Sequence, residues 1–285
     1  MNRRSRHVAL LLLVTVLVAS VGYVSAQFRQ RGFGGTFVGE QGDPAEIPPK
    51  ELPDRGIAGC HMLYDSVRRE ANGAGWRTDY PQAQRHLLLR MSELTKIHVS
   101  WLAPNMPHVW LVRLSDDALF QCPFVMASDV GTIGLSDDEV TGLRKYLAKG
   151  GFLWVDDFWG DAAWEQWTSE LARALPPAEY PIEDVPLTDP IFRSMLEVKE
   201  VPQVTSIRFW RSVGGQTTSE RGAETAEPHL RAIRDSHGRI IVVMTHNTDV
   251  SDSWEREGED PGFFYQFSPK GYALGINFLL YAMTH

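Results

Sequence analysis

The sequence predicts one α/β domain built on a mostly parallel sheet, and three observations predict it. Short runs such as Pro123–Ala127 and Phe152–Val155 are apolar throughout, the mark of strands buried on both faces. Between such runs lie segments with apolar residues at helical spacing. The two kinds alternate along the chain, which is the order that covers a parallel sheet with helices on both sides.

The first residues read as an export signal. Arg3, Arg4 and Arg6 form a basic start, an apolar run extends from Val8 to Val24, and Val24-Ser25-Ala26 has the small-residue cleavage pattern. Residues 1–26 are therefore expected to be a signal peptide, cut after Ala26, for a periplasmic or secreted protein. A retained anchor helix is the rival, but the apolar run falls short of the ~20 residues that span a bilayer. The Arg3-Arg4 pair lacks the rest of a twin-arginine motif, and no cysteine near the cleavage point suggests a lipid anchor. Residues 27–55, rich in Gly, Pro and Gln, are expected to be a flexible linker. The domain is expected over 56–285.

Within it, Ile57–Leu63 reads as the first strand. Gln82–Lys96 reads as a helix, with Leu87, Leu88, Met91 and Leu94 at helical spacing and Pro81 at its start. A strand or two lies in Ile97–Leu114, and Pro123–Ala127 is the next. Ser136–Lys149 is the clearest helix: Ser136 and Glu139 form a capping box, Val140, Leu143 and Leu147 share a face, and Gly150-Gly151 stops it. After the Phe152–Val155 strand, Asp161 is placed to cap a helix carrying Trp164, Trp167 and Leu171. The proline-rich stretch at about 176–227 breaks the alternation and reads as an irregular insertion with an extra strand around Ser206–Trp210. His229–Arg234 and Arg239–Thr245 read as a hairpin about His237-Gly238. Pro269–Met283 closes the chain as an apolar helix capped by Ser268, and its one amide, Asn277, is expected to hold a neighbouring loop.

Composition narrows the function. A hydrophobic content of 43% supports a full core, while a net charge of −8 and a pI of about 5.6 exclude a general nucleic-acid binder, which needs a basic face. Apart from the signal segment no membrane association is expected. Cys60 and Cys122, the two cysteines, form one bridge in an oxidising compartment or stand as two buried thiols.

The informative polar residues come directly after the strands, because ligands bind outside the carboxyl ends of open α/β sheets. Ser128-Asp129 ends one strand, Asp156-Asp157 another, and His246-Asn247 a third, with Asp79 in a loop able to reach the same rim. Singly, each has a structural explanation in a turn or cap. Together they predict a ligand site. Asp157 and His246 are the candidate working pair. Asp79, Ser128, Asp129, Asp156 and Asn247 are candidate ligand contacts. Asp156, Asp157 and His246 are candidate ligands of a divalent metal. Trp159 and Trp254, with Trp76, could stack on a sugar ring or simply pack. No zinc-protease HExxH, phosphate-binding P-loop, dinucleotide fingerprint or GxSxG elbow is present.

Four segments carry a resemblance: Trp76–Pro81, Leu135–Glu139, Gly150–Gly160 and Thr245-His246-Asn247. In that order they resemble a bacterial family of unknown function, DUF4159, over about Gly56 to His285. That family resembles the class I glutamine amidotransferase-like fold, trehalose-utilisation-type proteins included, and so implies a flavodoxin-like three-layer sandwich. Amidotransferases place a nucleophilic Cys on the turn after a central strand. Here that place holds Asp156-Asp157, which argues against glutamine hydrolysis.

Three functions compete: a small-molecule or carbohydrate ligand-binding domain, a metal-assisted or Asp/His hydrolase of a carbohydrate-like substrate, and an interaction module for an envelope protein. An Asp156 or Asp157 bonded to His246 in an open cleft would favour the enzyme. Buried, locally satisfied groups would favour binding, and a large exposed aromatic patch would favour the partner module.

Overall fold

The structure is a computed structural model and describes residues 39, 42–71 and 73–285, so the expected signal peptide and the first part of the expected linker lie outside the described residues. No helix among the described residues is long and apolar enough to cross a membrane. The remainder of the expected linker is tied to the domain at two acids. Asp43 and Glu46 pair with Arg85 at 3.1 and 2.8 Å, and Glu46 also bridges to Trp110 of an edge strand.

Seven strands form the central sheet: β1 (Gly59–Leu63), β2 (Val109–Arg113), β3 (Phe124–Ser128), β4 (Phe152–Asp156), β5 (Glu183–Asp184), β6 (His229–Arg234) and β7 (Ile240–His246). Their order is β2-β1-β3-β4-β7-β6-β5. The first five in that order run parallel; β6 pairs antiparallel with β7 in the expected hairpin, and β5 antiparallel with β6. The expected mixed α/β architecture with a mostly parallel sheet is therefore present.

The helices are α1 (Gln82–Leu94), α2 (Asp137–Ala148), α3 (Asp161–Ala174), α4 (Ile207–Ser212), α5 (Asp252–Glu255) and α6 (Pro261–Thr284). Two apolar layers sandwich the sheet. On one face Leu153, Val155 and Met244 meet Leu143 and Leu147 of α2 and Trp167 and Leu171 of α3. On the other, Phe152, Trp154 and Val243 meet Leu87 and Met91 of α1 and Leu274 and Phe278 of α6. Adjacent strand residues thus serve opposite layers, as the two-residue period of a strand requires.

The capping box of α2 forms as expected, Ser136 accepting from the Glu139 amide and Glu139 from the Ser136 amide. Three local expectations are corrected. Asp161 lies inside the first turn of α3, with Gly160 at the cap. The extra strand around Ser206–Trp210 is the helix α4: Ser206 accepts from the Phe209 amide, and Ile207 and Trp210, three residues apart, both pack towards Phe263. The closing helix begins eight residues before Pro269. Asp260 accepts from the Gly262 and Phe263 amides, and Pro261 fills the first turn, where a missing N–H costs nothing. Pro269 sits inside this helix, and Ser268 donates to the Ser253 carbonyl instead of capping.

Cys60 and Cys122 form a disulfide, tying β1 to the residue two before β3.

Candidate functional site

Because β1, β2, β3, β4 and β7 are parallel, their carboxyl ends share one edge of the sheet. The residue after each of β3, β4 and β7 is Asp129, Asp157 and Asn247, and all three have left-handed φ, at 53°, 48° and 60°. Asp79 has φ of 65°. Aspartate and asparagine reach this region more readily than other non-glycine residues. At Asp129, Asp157 and Asn247 the strand stops with this turn.

Carboxylates converge there. Asp79, Asp157 and Asp249 each offer an oxygen, all within 4.8 Å of one another, and so do Asp79, Asp252 and Glu255. Asp79 belongs to both sets. Asp79, Asp249, Asp252 and Glu255 are buried and Asp157 is half-buried. Above them opens a cavity of about 260 Å³, lined by both sets and by α4.

Hydroxyls hold the carboxylates in place. Ser128 Oγ donates to Asp79 Oδ2. Ser251 Oγ lies 2.9 Å from Asp79 Oδ2, 2.8 Å from Asp156 Oδ2 and 3.3 Å from Asp249 Oδ1. One hydroxyl proton serves one of these acceptors at a time. Trp159 Nε1 donates to Asp157 Oδ1 at 2.8 Å, and the Asp252 amide to Asp249 Oδ1 at 3.0 Å. Among the described residues no hydrogen bond reaches Asp79 Oδ1, Asp157 Oδ2 or Asp249 Oδ2. Each acid of the first set thus has one oxygen fixed by the protein and one without a donor.

Burial raises the proton affinity of the whole group, because a charged carboxylate loses its hydration there. It pushes Asp79 up to about 8, with neighbouring Asp252 and Asp156 adding to the rise. Asp129 goes up to about 7, again by burial, against a bond from the Gly75 amide. Asp157 and Asp249 are held well above the carboxylate range by burial and then by other acids, Asp79 for the first and Asp157 for the second. Glu255 shows the same pattern beside Asp252.

The remaining expected site residues have other settings. Asp156 is fully buried and satisfied by Thr245 Oγ1 at 2.5 Å and by the Ser251 amide and hydroxyl, so it positions the Ser251 loop. Asn247 accepts from the Gly160 amide and donates to the Glu227 carbonyl, clasping two loops. Ser128 orients Asp79 and Asp129 receives the Gly75 amide. His246 faces the α2/α3 layer with Met244, packs on Phe158 and Trp164, and hydrogen-bonds to the Gly160 carbonyl and towards Arg231. Burial drives its pKa down to about 4. Thr245, one residue earlier, points to the other face and to Asp156. The Asp157–His246 hydrogen bond that would mark a working pair is not among those formed. Trp254 is fully buried with Nε1 on the Ala83 carbonyl, Trp159 is 4% exposed, and Trp76 packs against the core, so the three do not form an open stacking rim.

The sequence puts Asp249 and Asp252 near the rim, just past the β7 strand, without singling them out as candidate ligands, and it gives Ser251 and Glu255 no part. The signal was there: Asp249, Asp252 and Glu255 recur every third residue just past the β7 strand, which puts them on one side of a helical turn.

The family described as Domain of unknown function (DUF4159) matches residues 65–283. No curated protein matches the chain.

Proposed function

As the chain belongs to the DUF4159 family, which carries no assigned activity, we propose its function from the site itself: the domain binds divalent cations at Asp79, Asp157 and Asp249, with Asp252 and Glu255 as a second set, and through them a small polar ligand. The observation that carries this is the pair of carboxylate triads sharing Asp79. Buried carboxylates this close repel one another unless protons or cations intervene. The donor-less oxygens of Asp79, Asp157 and Asp249 are the groups a cation would satisfy. With His246 turned to the other face, the donors are all oxygen. Such a set suits Mg²⁺, Mn²⁺ or Ca²⁺ better than a softer ion.

The shared Asp79 also favours a second reading, metal-assisted hydrolysis. Cations held by Asp79, Asp157 and Asp249 and by Asp79, Asp252 and Glu255 would supply the acidity that ionises a water at neutral pH and the charge that offsets a leaving oxygen. In that reading Asp157 acts as a cation ligand, without His246 as its partner. The packing of Trp76, Trp159 and Trp254 takes support from a sugar-stacking site, so we do not assign a carbohydrate.

We read the fold as flavodoxin-like. The parallel strands, taken alone, have the 2-1-3-4-5 order of that architecture, with β7 as the fifth. Kinship with the amidotransferase-like group rests on that order and on the resemblance of the four segments. Asp156-Asp157 occupies the turn where an amidotransferase nucleophile would stand, and both cysteines are in the disulfide. The disulfide supports an oxidising compartment and, with the signal-like first residues, an exported protein.

The test is metal titration of chelator-stripped protein, read by calorimetry and thermal shift. Wild type and His246→Ala are expected to bind Mn²⁺ and gain stability, and Asp79→Asn and Asp249→Asn to lose both effects while remaining folded. A folded wild type that takes up none of Mg²⁺, Mn²⁺ or Ca²⁺ would overturn the reading.

A further inference from the structure

We infer that the ligand of this site carries a phosphoryl oxyanion, bound between the cations and the guanidinium of Arg208; this rests on the cation reading above. Arg208 sits on α4, in the wall of the cavity that has Asp79, Asp157 and Asp249 among its lining residues. It is exposed, and among the described residues it makes no hydrogen bond or ion pair. Its neighbours are committed. Arg256, in the same cavity, pairs with Glu259 at 3.0 Å and Glu255 at 3.2 Å, and Arg211, on the same helix, pairs with Glu259 at 3.2 Å. Arg208 is therefore the guanidinium left to meet a ligand.

The two sides of the cavity constrain that ligand. Without cations the floor gives an anion no positive charge when its acids are protonated and repels it when they are ionised, and a guanidinium repels a cation. A group that satisfies both a loaded floor and Arg208 is anionic, and it binds only after the metal. A carboxylate has two oxygens, enough to bridge two cations or to engage a guanidinium fork. A phosphoryl group has three terminal oxygens, so it can turn two towards a loaded floor and keep one for the guanidinium. Hard cations on carboxylates complete their coordination with phosphate oxygens readily. The cavity, at about 260 Å³, is below the usual range for drug-sized ligands, which fits a small phosphate compound. The amide at the start of α4 takes no part, because Ile207 N already donates to Asp252 Oδ2 at 2.9 Å.

The experiment is calorimetric titration of inorganic phosphate into full domain, stripped or Mn²⁺-loaded, with glucose 6-phosphate and acetate as comparison probes. Phosphate is expected to bind only the loaded protein. Arg208→Gln should weaken it about tenfold or more, the scale of one charge-assisted bond, and leave Mn²⁺ affinity unchanged; Arg208→Lys should restore part of the loss. Tighter binding of glucose 6-phosphate assigns a phosphate ester, and equal binding assigns free phosphate. Mn²⁺ binding without phosphate binding, an unchanged phosphate affinity in Arg208→Gln, or acetate binding as tightly as phosphate would each overturn this inference while the cation reading stands. Loss of Mn²⁺ binding itself would overturn both.

Discussion

The amide of Asp129 donates to the carbonyl of Asp157 at 3.0 Å, joining two left-handed residues at the ends of adjacent strands. The next strand repeats the device: Asn247 is left-handed and its amide donates to the Phe158 carbonyl at 3.0 Å. Three neighbouring strands thus end in a left-handed acid or amide residue, and backbone bonds join these ends. Strained backbone of this kind clusters at functional sites and persists because its surroundings hold it.

Substitutions at Asp157 separate backbone from charge. Asp157→Asn keeps a residue suited to positive φ, and keeps an acceptor for Trp159, while it removes one charge from the acidic group. Asp157→Ala also removes the charge but adds a left-handed cost of about 1–2 kcal/mol. In chelator-stripped protein the Asn variant is expected to melt at or above wild type, and the Ala variant several degrees below the Asn variant, at roughly 2–4 °C per kcal/mol for a domain of this size. Both should lose the cation-induced shift. Equal melting of Asn and Ala variants would show that the turn places no demand on the residue.

Stability against pH tests the charge state of the cluster. Asp79 and Asp129 titrate at about 8 and about 7 in the fold against an ordinary 3.8, so between those limits the folded chain holds more protons than the unfolded one. Stability contributed by these groups is therefore greatest at low pH and is lost as pH rises towards their folded values. His61 and His246 act oppositely: both are lowered from 6.5 to about 4 by burial, so their contribution rises with pH through 6.5 and then levels off. From pH 6.5 to 8 only the tail of the histidine rise remains, so the carboxylates dominate the window. Metal-free protein is expected to lose denaturant stability across it, by at most about 1.4 kcal/mol per pH unit for each titrating group. Saturating Mn²⁺ should flatten or reverse the fall, since cations bind the deprotonated acids. A metal-free stability that stays level or climbs from pH 6.5 to 8 would mean the cluster is not protonated in the way burial implies.

The parallel sheet was legible because its strands are wholly apolar and its helices amphipathic; the strand-end rule then pointed to Asp129 and Asp157, and Asp79 was placed by the loop before the first long helix. What the sequence hid was direction. His246 and Asp156 both mark strand ends, yet the two-residue alternation sends His246 to Trp164 and leaves Thr245 to meet Asp156. Which residue of a strand faces which layer depends on register, and register is set by the paired strand, not by the strand's own composition. Asp249, Asp252 and Glu255 were legible only in part. Their three-residue spacing spans a loop and a single helical turn, too short a stretch to single the three out as one set. Trp76, Trp159 and Trp254 offered flat rings, but large aromatic area near a strand end is claimed by the core as readily as by a ligand.

Asn277 links the closing helix to the insertion that carries Arg208. It is fully buried, its Oδ1 accepts from the Met195 and Leu196 amides at 3.0 Å each, and its Nδ2 donates to the Leu196 carbonyl at 2.7 Å. Asn277→Leu removes all three bonds and puts a branched apolar group against two amides and a carbonyl. Met195 is 41% exposed, so water can reach part of this loop, and the cost belongs at the lower end of the range for lost partners, about 1–3 kcal/mol. The variant is expected to melt lower and to become susceptible to proteolysis between residues 193 and 203. Mn²⁺ affinity should change little, because the acids come from strand ends and from the Asp249–Glu255 segment. Phosphate affinity should fall, because α4 comes after the loosened loop in the same insertion. If melting, proteolysis and phosphate binding all match wild type, Asn277 is a satisfied amide without influence on the insertion, and the cavity wall is held from elsewhere.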